Sequence, residues 1–531
     1  MTDYGKFIDE GQAVMGLEFG STRIKAVLID GEHNPIASGD YTWENKFENG
    51  YWTYSIDEVW TGLREAYKAL REDVKNRYQT DIRIMKAMGF SAMMHGYIAL
   101  DEAANVMVPF RTWRNTTTKD AAKELSALFS FNIPQRWTIA HLRQAMMNKE
   151  EHLSRLKTVT TLAGYVHFML TGVNKVGVGE GSGIMPVDSK TLDYDETMVK
   201  KFDAVIEKEG YSWRTRDIFP EVLNAGENAG YLTKEGALRL DPSGLLSAGI
   251  PVCPPEGDAG TGMTATNSVL KRTGNVSAGT SIFSMVVLEK PLKSYYEEID
   301  MVTTPDGAPV AMVHCNNCTS DLNAWVNLFR ENLELMGVKP DMNELYGNLY
   351  RNALNGDKDC GGLMAYNYVS GEAITGLSEG RPMFLRKPEA GFNLANFMRA
   401  HLYSALATLK LGNDILMKKE QVEIDTIYGH GGLFKTKGVG QQFLADALSA
   451  PVSVMKTAGE GGPWGMAILA SYMVNREENE KLPDFLQEKV FHGEKGECLY
   501  PDPEGVSGFD AFLKDYAGAL LVEKAAVENY L

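Results

Sequence analysis

Two short strand-turn-strand patterns, far apart in a chain of 531 residues, constrain the fold of this sequence more than any other feature. Val14 to Phe19 and Ile24 to Ile29 are apolar, β-branched runs separated by Gly20, Ser21 and Thr22. Gly274 to Ala278 and Ser281 to Leu288 repeat the arrangement around Gly279 and Thr280. Runs of this kind about glycine and hydroxyl residues read as β-hairpins. After the first, a polar turn at Asp30 to Pro35 leads to a third antiparallel strand, Ile36 to Trp43. An amphipathic helix from Ile56 to Asn76 and a buried strand from Ile82 to Phe90 follow. Recurrence of the hairpin predicts a duplicated architecture whose two tips face each other across a cleft. Breakers gather between Pro251 and Met263, which predicts a linker and two domains, 1–263 and 264–531. A last helix is expected from Phe509 to Tyr530.

Net charge is −17, so the overall field repels nucleic acid and anionic lipid. No apolar run approaches the roughly 18 residues that span a bilayer, and the first ten residues are polar. The expectation is a cytoplasmic chain with a small-molecule partner, no nucleic acid and no membrane, with room for a homodimer. Five cysteines cannot staple so long a chain. Cys315 and Cys318 form a C-x-x-C after His314, but Cys360 and Cys498 stand alone and supply no second ligand pair. Free, buried thiols are predicted.

The common phosphate-binding motifs, G-x-x-x-x-G-K-[ST] and a strand-linked G-x-G-x-x-G, are absent from the sequence. The first tip offers another solution. Gly20 permits close backbone approach, Ser21 and Thr22 supply hydroxyls, and Lys25 or Arg23 supplies charge. Glu18 could hold Mg2+ through water. An ordinary hairpin with solvated charges fits the segment equally well. The second tip, with Gly279, Thr280 and Ser281, would clasp an oxyanion with backbone N–H groups and hydroxyls. Asp258, flanked by Gly257 and Gly260, could take the proton of a substrate hydroxyl attacking a γ-phosphoryl group, or could close an Asx-turn at a hinge. Gly431 and Gly432 follow a strand-like run, and the turn from Gly459 to Gly465 opens an Ala-rich helix. Such turns can admit a flat base or can merely terminate elements.

These five segments, in this order and spacing, resemble the FGGY carbohydrate kinases over nearly the whole chain, most closely the xylulokinase branch. The first tip resembles the family's D-x-G-T-x-x-x-K/R segment, Gly257-Asp258 its catalytic G-D, and Gly279 to Ser281 its second phosphate segment. Gly431, Gly432, Gln441, Ala445-Asp446, Pro451-Val452 and Glu460 to Ala467, including Gly461 and Gly462, are similar to its adenosine-binding stretch. Leu170-Thr-Gly172, Phe219-Pro220, Ser370-Gly-Glu372 and Arg381-Pro382 add less chemical matches. The resemblance implies an α/β protein with the two-domain ribonuclease H-like (actin-like ATPase) fold and an interdomain cleft. It also implies ATP and Mg2+ as cofactors, Glu18 and Asp258 near the metal, and sugar bound mainly by the N-terminal domain.

For the sugar, Met93-Met94-His95-Gly96 is similar to the Q-M-H-G of xylulokinases, and Thr112 to Thr116 to their W-N-D-x-R-T. The likeness implies contacts from Met94, His95, Trp113, Arg114 and Asn115, although a satisfied core histidine is the ordinary reading of His95. Four departures from the pattern occur: Glu18 for Asp, Met93 for Gln, the pair Arg114-Asn115 for Asn-Asp, and Gly164 for Asp. A pocket with altered polar groups should reject the relatives' substrate. The expected reaction is phosphorylation of a primary hydroxyl of a ketopentose-like sugar (xylulose, ribulose or a related polyol). The alternatives are an actin-like ATPase without a sugar and a non-catalytic sugar-binding protein.

Overall fold

The structure is a computed structural model that describes residues 3–455, 461–494 and 496–530. Two compact units emerge. The first comprises residues 1–269, 295–310 and 460–494, and the second comprises 270–294, 311–459 and 495–531.

The first unit is built on the predicted meander. Strands β1 (Val14–Phe19), β2 (Arg23–Ile29) and β3 (Pro35–Thr42) pair antiparallel in sequence order. Ser55 caps helix α1 (Ile56–Tyr78) by accepting from Glu58 N at 3.1 Å, and Gln79, in the left-handed conformation, ends it. The helix buries Val59, Leu63, Ala66, Tyr67, Leu70 and Val74, a 3–4 spacing that places one face on the sheet. Each such aliphatic or aromatic burial is worth about 1.5–3 kcal/mol. The next strand, β4 (Ala87–Ala92), is shorter and later than the expected Ile82 to Phe90, because residues 81–85 approach it as irregular chain. It runs parallel to β1.

The expected linker is ordered structure instead. Glu256–Gly257 forms strand β5, parallel to β4, and Asp258–Ala265 forms helix α2, so the glycines serve close packing rather than a hinge. The sheet order is β3-β2-β1-β4-β5. Its register aligns Lys25, Glu18, Ser91 and Glu256 in one row across four strands. Helix α3 (Gly461–Asn475), encoded near the far end of the chain, packs on β1, β4 and α2. A β-carbon at Gly16 of β1 would lie 2.0 Å from Pro463 O, so glycine is what lets this helix touch the sheet.

In the second unit β6 (Thr273–Ala278) and β7 (Ile282–Val287) form the second hairpin. With β8 (Pro309–Cys315), β9 (Thr426–His430), β10 (Val452–Val454) and β11 (Glu497–Leu499), the order is β8-β7-β6-β9-β10-β11. β9 is parallel to β6, and β10 to β9. The first five strands therefore repeat the order of the first sheet. The last helical region is two helices, Pro503–Gly518 and Leu520–Asn529, with the break at Ala519. Cys315 and Cys318 are buried free thiols, and burial pushes both well above the usual thiol range.

Candidate active site

The first tip is pinned from below. Gly20 N donates to Arg23 O at 2.9 Å, Trp43 Nε1 to Gly20 O at 2.7 Å, and Tyr54 OH to Ser21 O at 2.6 Å. Trp43 and Tyr54 stack at 4.0 Å. These bonds occupy the carbonyls of the turn and hold Gly20, Ser21 and Thr22 in one shape, with the Thr22 side chain exposed. Arg23 is engaged by Asp40 at 3.0 Å on the surface. Lys25, paired across the strands with Glu18, is the cation of the segment that acts on that carboxylate.

Glu18 Oε2 accepts from Thr261 Oγ1 at 3.3 Å and Ser91 Oγ at 3.4 Å. Burial pushes its pKa up to about 8 and the Asp258 charge adds to the rise, while those hydroxyls and Lys25 pull it back. Asp258 opens helix α2, and its Oδ1 accepts from Met94 N at 3.0 Å. The residue is exposed, yet surrounding protein raises its pKa. A carboxylate can be open to solvent on one side while packed protein on its other sides lowers the local dielectric.

The backbone bond from Met94 ties Asp258 to the next residue, His95, which adopts a left-handed φ of 73°. Its ring is buried, lies 6.1 Å from Trp137 in a stacked arrangement, and places Nδ1 3.4 Å from Gly183 O. Trp113 is half-buried against the core of the first unit. Arg114 stacks its guanidinium over Trp52 at 3.8 Å. Asn115 is committed within the fold: Nδ2 donates to Trp52 O at 2.8 Å and Thr112 O at 3.0 Å, and Oδ1 accepts from Trp52 N at 2.8 Å. Both donors are spent, so Asn115 fastens one loop to the 51–53 strand. At Gly164 a β-carbon would meet Thr160 Oγ1 at 2.2 Å, so a larger residue there requires the Thr160 side chain to move.

Two acids escaped the sequence reading. Glu256 Oε2 accepts from Glu180 N at 2.8 Å and its Oε1 from Gly179 N at 3.3 Å. β-Carbons at Gly177 and Gly179 would lie 2.1 and 2.4 Å from this carboxyl, so the Gly-Val-Gly spacing is a cradle cut for it. Burial raises the Glu256 pKa to about 8. Glu180 is fully buried, with a pKa driven well up by burial and then by Glu256 and Asp258. The only local signal was that glycine spacing, and its meaning depends on a carboxylate distant in sequence.

In the second unit the tip leaves open space over Gly279. Thr319 N and Oγ1 donate to Gly279 O at 3.1 and 2.8 Å, and Cys318 N donates to Thr280 O at 3.0 Å. Gly431, with a φ of 103°, brings β9 so near the base of this tip that a β-carbon would lie 2.4 Å from Ala278 O. Gly432 begins the short turn after it. Gln441 is buried and spends both amide hydrogens on Val452 O at 2.8 Å and Glu497 O at 2.6 Å, joining β10 to β11. Gly461 and Gly462 start α3 in the first unit, where a β-carbon on Gly462 would fall 1.6 Å from Glu18 Oε2. Gly459 and Glu460 lie outside the described residues.

The repeated strand order, with a carboxylate near the end of the first strand and a second one opening a helix after the fifth, is that of the ribonuclease H-like, actin-like ATPase fold. Residues 13–264 match the FGGY family of carbohydrate kinases, N-terminal domain, and residues 274–474 its C-terminal domain. The chain belongs to the FGGY family and is a carbohydrate kinase. It is 20% identical to the xylulose kinase of Haemophilus influenzae over 94% of this chain and 98% of that one. Among solved structures, ligand-bound xylulose kinase from Lactobacillus acidophilus matches with a TM-score of 0.78 at 16% identity, covering 98% of this chain and 99% of that one. Plasmodium falciparum glycerol kinase with ADP matches at 0.73 and 17% identity, covering 97% and 98%. These structural likenesses establish the fold. Membership in a kinase family implies ATP as co-substrate. No helix among the described residues is long and apolar enough to cross a membrane.

Proposed function

We propose that this carbohydrate kinase transfers the γ-phosphoryl group of ATP to a primary hydroxyl of a ketopentose-like sugar, with Asp258 as general base. The observation that carries the reading is the 3.0 Å bond from Met94 N to Asp258 Oδ1. It fixes an accessible carboxylate beside the turn that presents His95. Asp258 takes the hydroxyl proton as the sugar oxygen bonds to phosphorus, the bond from phosphorus to the ADP oxygen breaks, and the proton later leaves to solvent. Its raised pKa makes it a stronger base than an ordinary aspartate.

His95 and Trp113 are the proposed sugar contacts, with Met94 and Arg114 shaping the turn and loop beside them. Asn115 and Gln441 act through the backbone they hold. Gly20, Ser21, Thr22, Lys25 and the Gly279 to Ser281 tip are proposed to bind ATP phosphates, with Gly431, Gly432, Gly461 and Gly462 supporting the nucleotide from glycine turns.

Glu18 and Asp258, two hard-oxygen ligands whose like negative charges repel each other, suit Mg2+, which takes one or two carboxylates and completes its shell with phosphate and water. When bound, the ion neutralises charge on the transferring phosphoryl group. The test is a coupled ADP-release assay across pentuloses, hexuloses and polyols. Asp258→Asn should lower kcat by about 10²- to 10⁴-fold on the best sugar, with a much smaller loss of Mg-ATP affinity. Undiminished turnover in that variant would remove Asp258 from its role.

A further inference from the structure

A buried carboxylate in the second unit, outside every site described above, is wired to the second tip through one short turn. Glu372 Oε2 accepts from Asn316 N at 3.0 Å, Asn317 N at 3.3 Å and Asn317 Nδ2 at 3.2 Å. The two segments interlock further. Asn316 Nδ2 donates to Gly371 O at 2.8 Å, and Asn317 Oδ1 accepts from Ser370 N at 3.1 Å. Asn367 Nδ2 donates to Cys318 O at 2.9 Å. The same turn continues into Cys318 and Thr319, whose N–H groups and hydroxyl hold Thr280 O and Gly279 O. Thus the carbonyls of a tip left open over Gly279 are fixed by a turn that a single buried acid anchors.

We propose that Glu372 is a positioning residue for nucleotide binding, holding the Asn316 to Thr319 turn so that the Gly279 to Ser281 tip keeps its N–H groups and hydroxyls aimed at phosphate. This rests on the reading that the second tip binds ATP. A carboxylate accepting three N–H bonds from one turn restrains it more than a neutral acceptor does. Burial pushes the Glu372 pKa up to about 7, against the pull of the Asn316 and Asn317 donors. The titratable groups facing it are Cys315, Tyr368 and Tyr516, each held neutral by burial. Glu372 therefore loses its charge as pH falls through neutrality, and the turn loosens.

The test is equilibrium titration of the purified full chain with mant-ATP and Mg2+, without sugar, between about pH 6 and pH 8.5. At pH 8, Glu372→Ala should weaken mant-ATP binding about tenfold, the loss of one charge-assisted anchor. Glu372→Gln, which keeps the shape and an acceptor, should remain within about threefold of wild type at pH 6. The wild-type to Glu372→Gln affinity ratio should grow as pH rises from 6 to 8, a pattern that a merely structural residue would not produce. A folded Glu372→Ala with unchanged affinity overturns the proposal. If Glu372→Ala does not fold, a pH-independent ratio for Glu372→Gln overturns it instead. Thr280→Ala/Ser281→Ala is the control. If it weakens mant-ATP binding while the Glu372 variants do not, the positioning role fails and the tip reading stands. If all bind as wild type, the tip reading fails with it.

Discussion

One methylene governs what the first-strand carboxylate can reach. Glu18, where the resembling family carries aspartate, extends between Ser91 and Thr261 and presses against the first turn of α3 at Gly462. A β-carbon there would overlap the carboxyl, so Gly462→Ala should lower both the melting temperature and kcat. Adding Glu18→Asp withdraws the colliding oxygen, so the double variant should be more stable than Gly462→Ala alone. A double-mutant cycle by thermal denaturation measures the coupling, expected at about 1 kcal/mol or more, and strict additivity would show that the two do not meet. At this scale the sequence was only partly legible. Asp258, Ser21 and Thr22 could be singled out as candidates because residue type and glycine context are local. Asn115 and Gln441 looked like ligands because an amide's partners are invisible in sequence; here backbone carbonyls from other segments consume them. Gly462 read as room for a base, while its nearest obligation is to a side chain at the other end of the chain.

Secondary elements were more readable. Both hairpins, the third strand and α1 follow from short apolar runs about polar turns and from 3–4-spaced apolar residues. The misplaced strand before Ala87 shows the limit: Ile82 and Met85 are buried as any strand residue would be, but burial without a neighbouring strand makes no ladder. The supposed linker failed for a related reason. Its glycines look like breakers, yet they sit beside Glu256 and Asp258, in a sheet row and a helix start whose partners lie elsewhere. Gly177 and Gly179 make the element-scale prediction. Gly179→Ala drives a β-carbon into the Glu256 carboxyl and should cost about 1–3 kcal/mol in urea unfolding. Glu256→Ala in the same chain should remove part of that penalty, and an unaltered urea midpoint in Gly179→Ala would contradict the cradle.

Across the whole molecule, burial holds histidines neutral: His141 and His401 are lowered to about 3, and His152, His167 and His430 to about 4. Unfolded histidine titrates near about 6.5, so between these values the unfolded chain binds more protons. The stability that each contributes is present above about pH 6.5 and is lost as pH falls towards 4. Glu256 and Glu372, raised to about 8 and 7, oppose this by favouring the folded state at lower pH, so a single-site comparison isolates the histidine effect. The stability advantage of wild type over His141→Phe should shrink between about pH 7 and pH 5 in urea titrations. A constant difference would mean that the ring is already charged or already solvated.

The architecture also has a temporal side. The helix that covers β1 and β4 and abuts Glu18 is translated after most of the second unit, residues 270–294 and 311–459. A nascent chain emerging from the ribosome therefore carries an unfinished N-terminal sheet, its packing face bare, until the closing helix is synthesised. The phosphoryl transfer proposed at that sheet therefore waits for α3, and a chain ended before residue 461 would leave the faces of β1 and β4 that this helix covers without their partner.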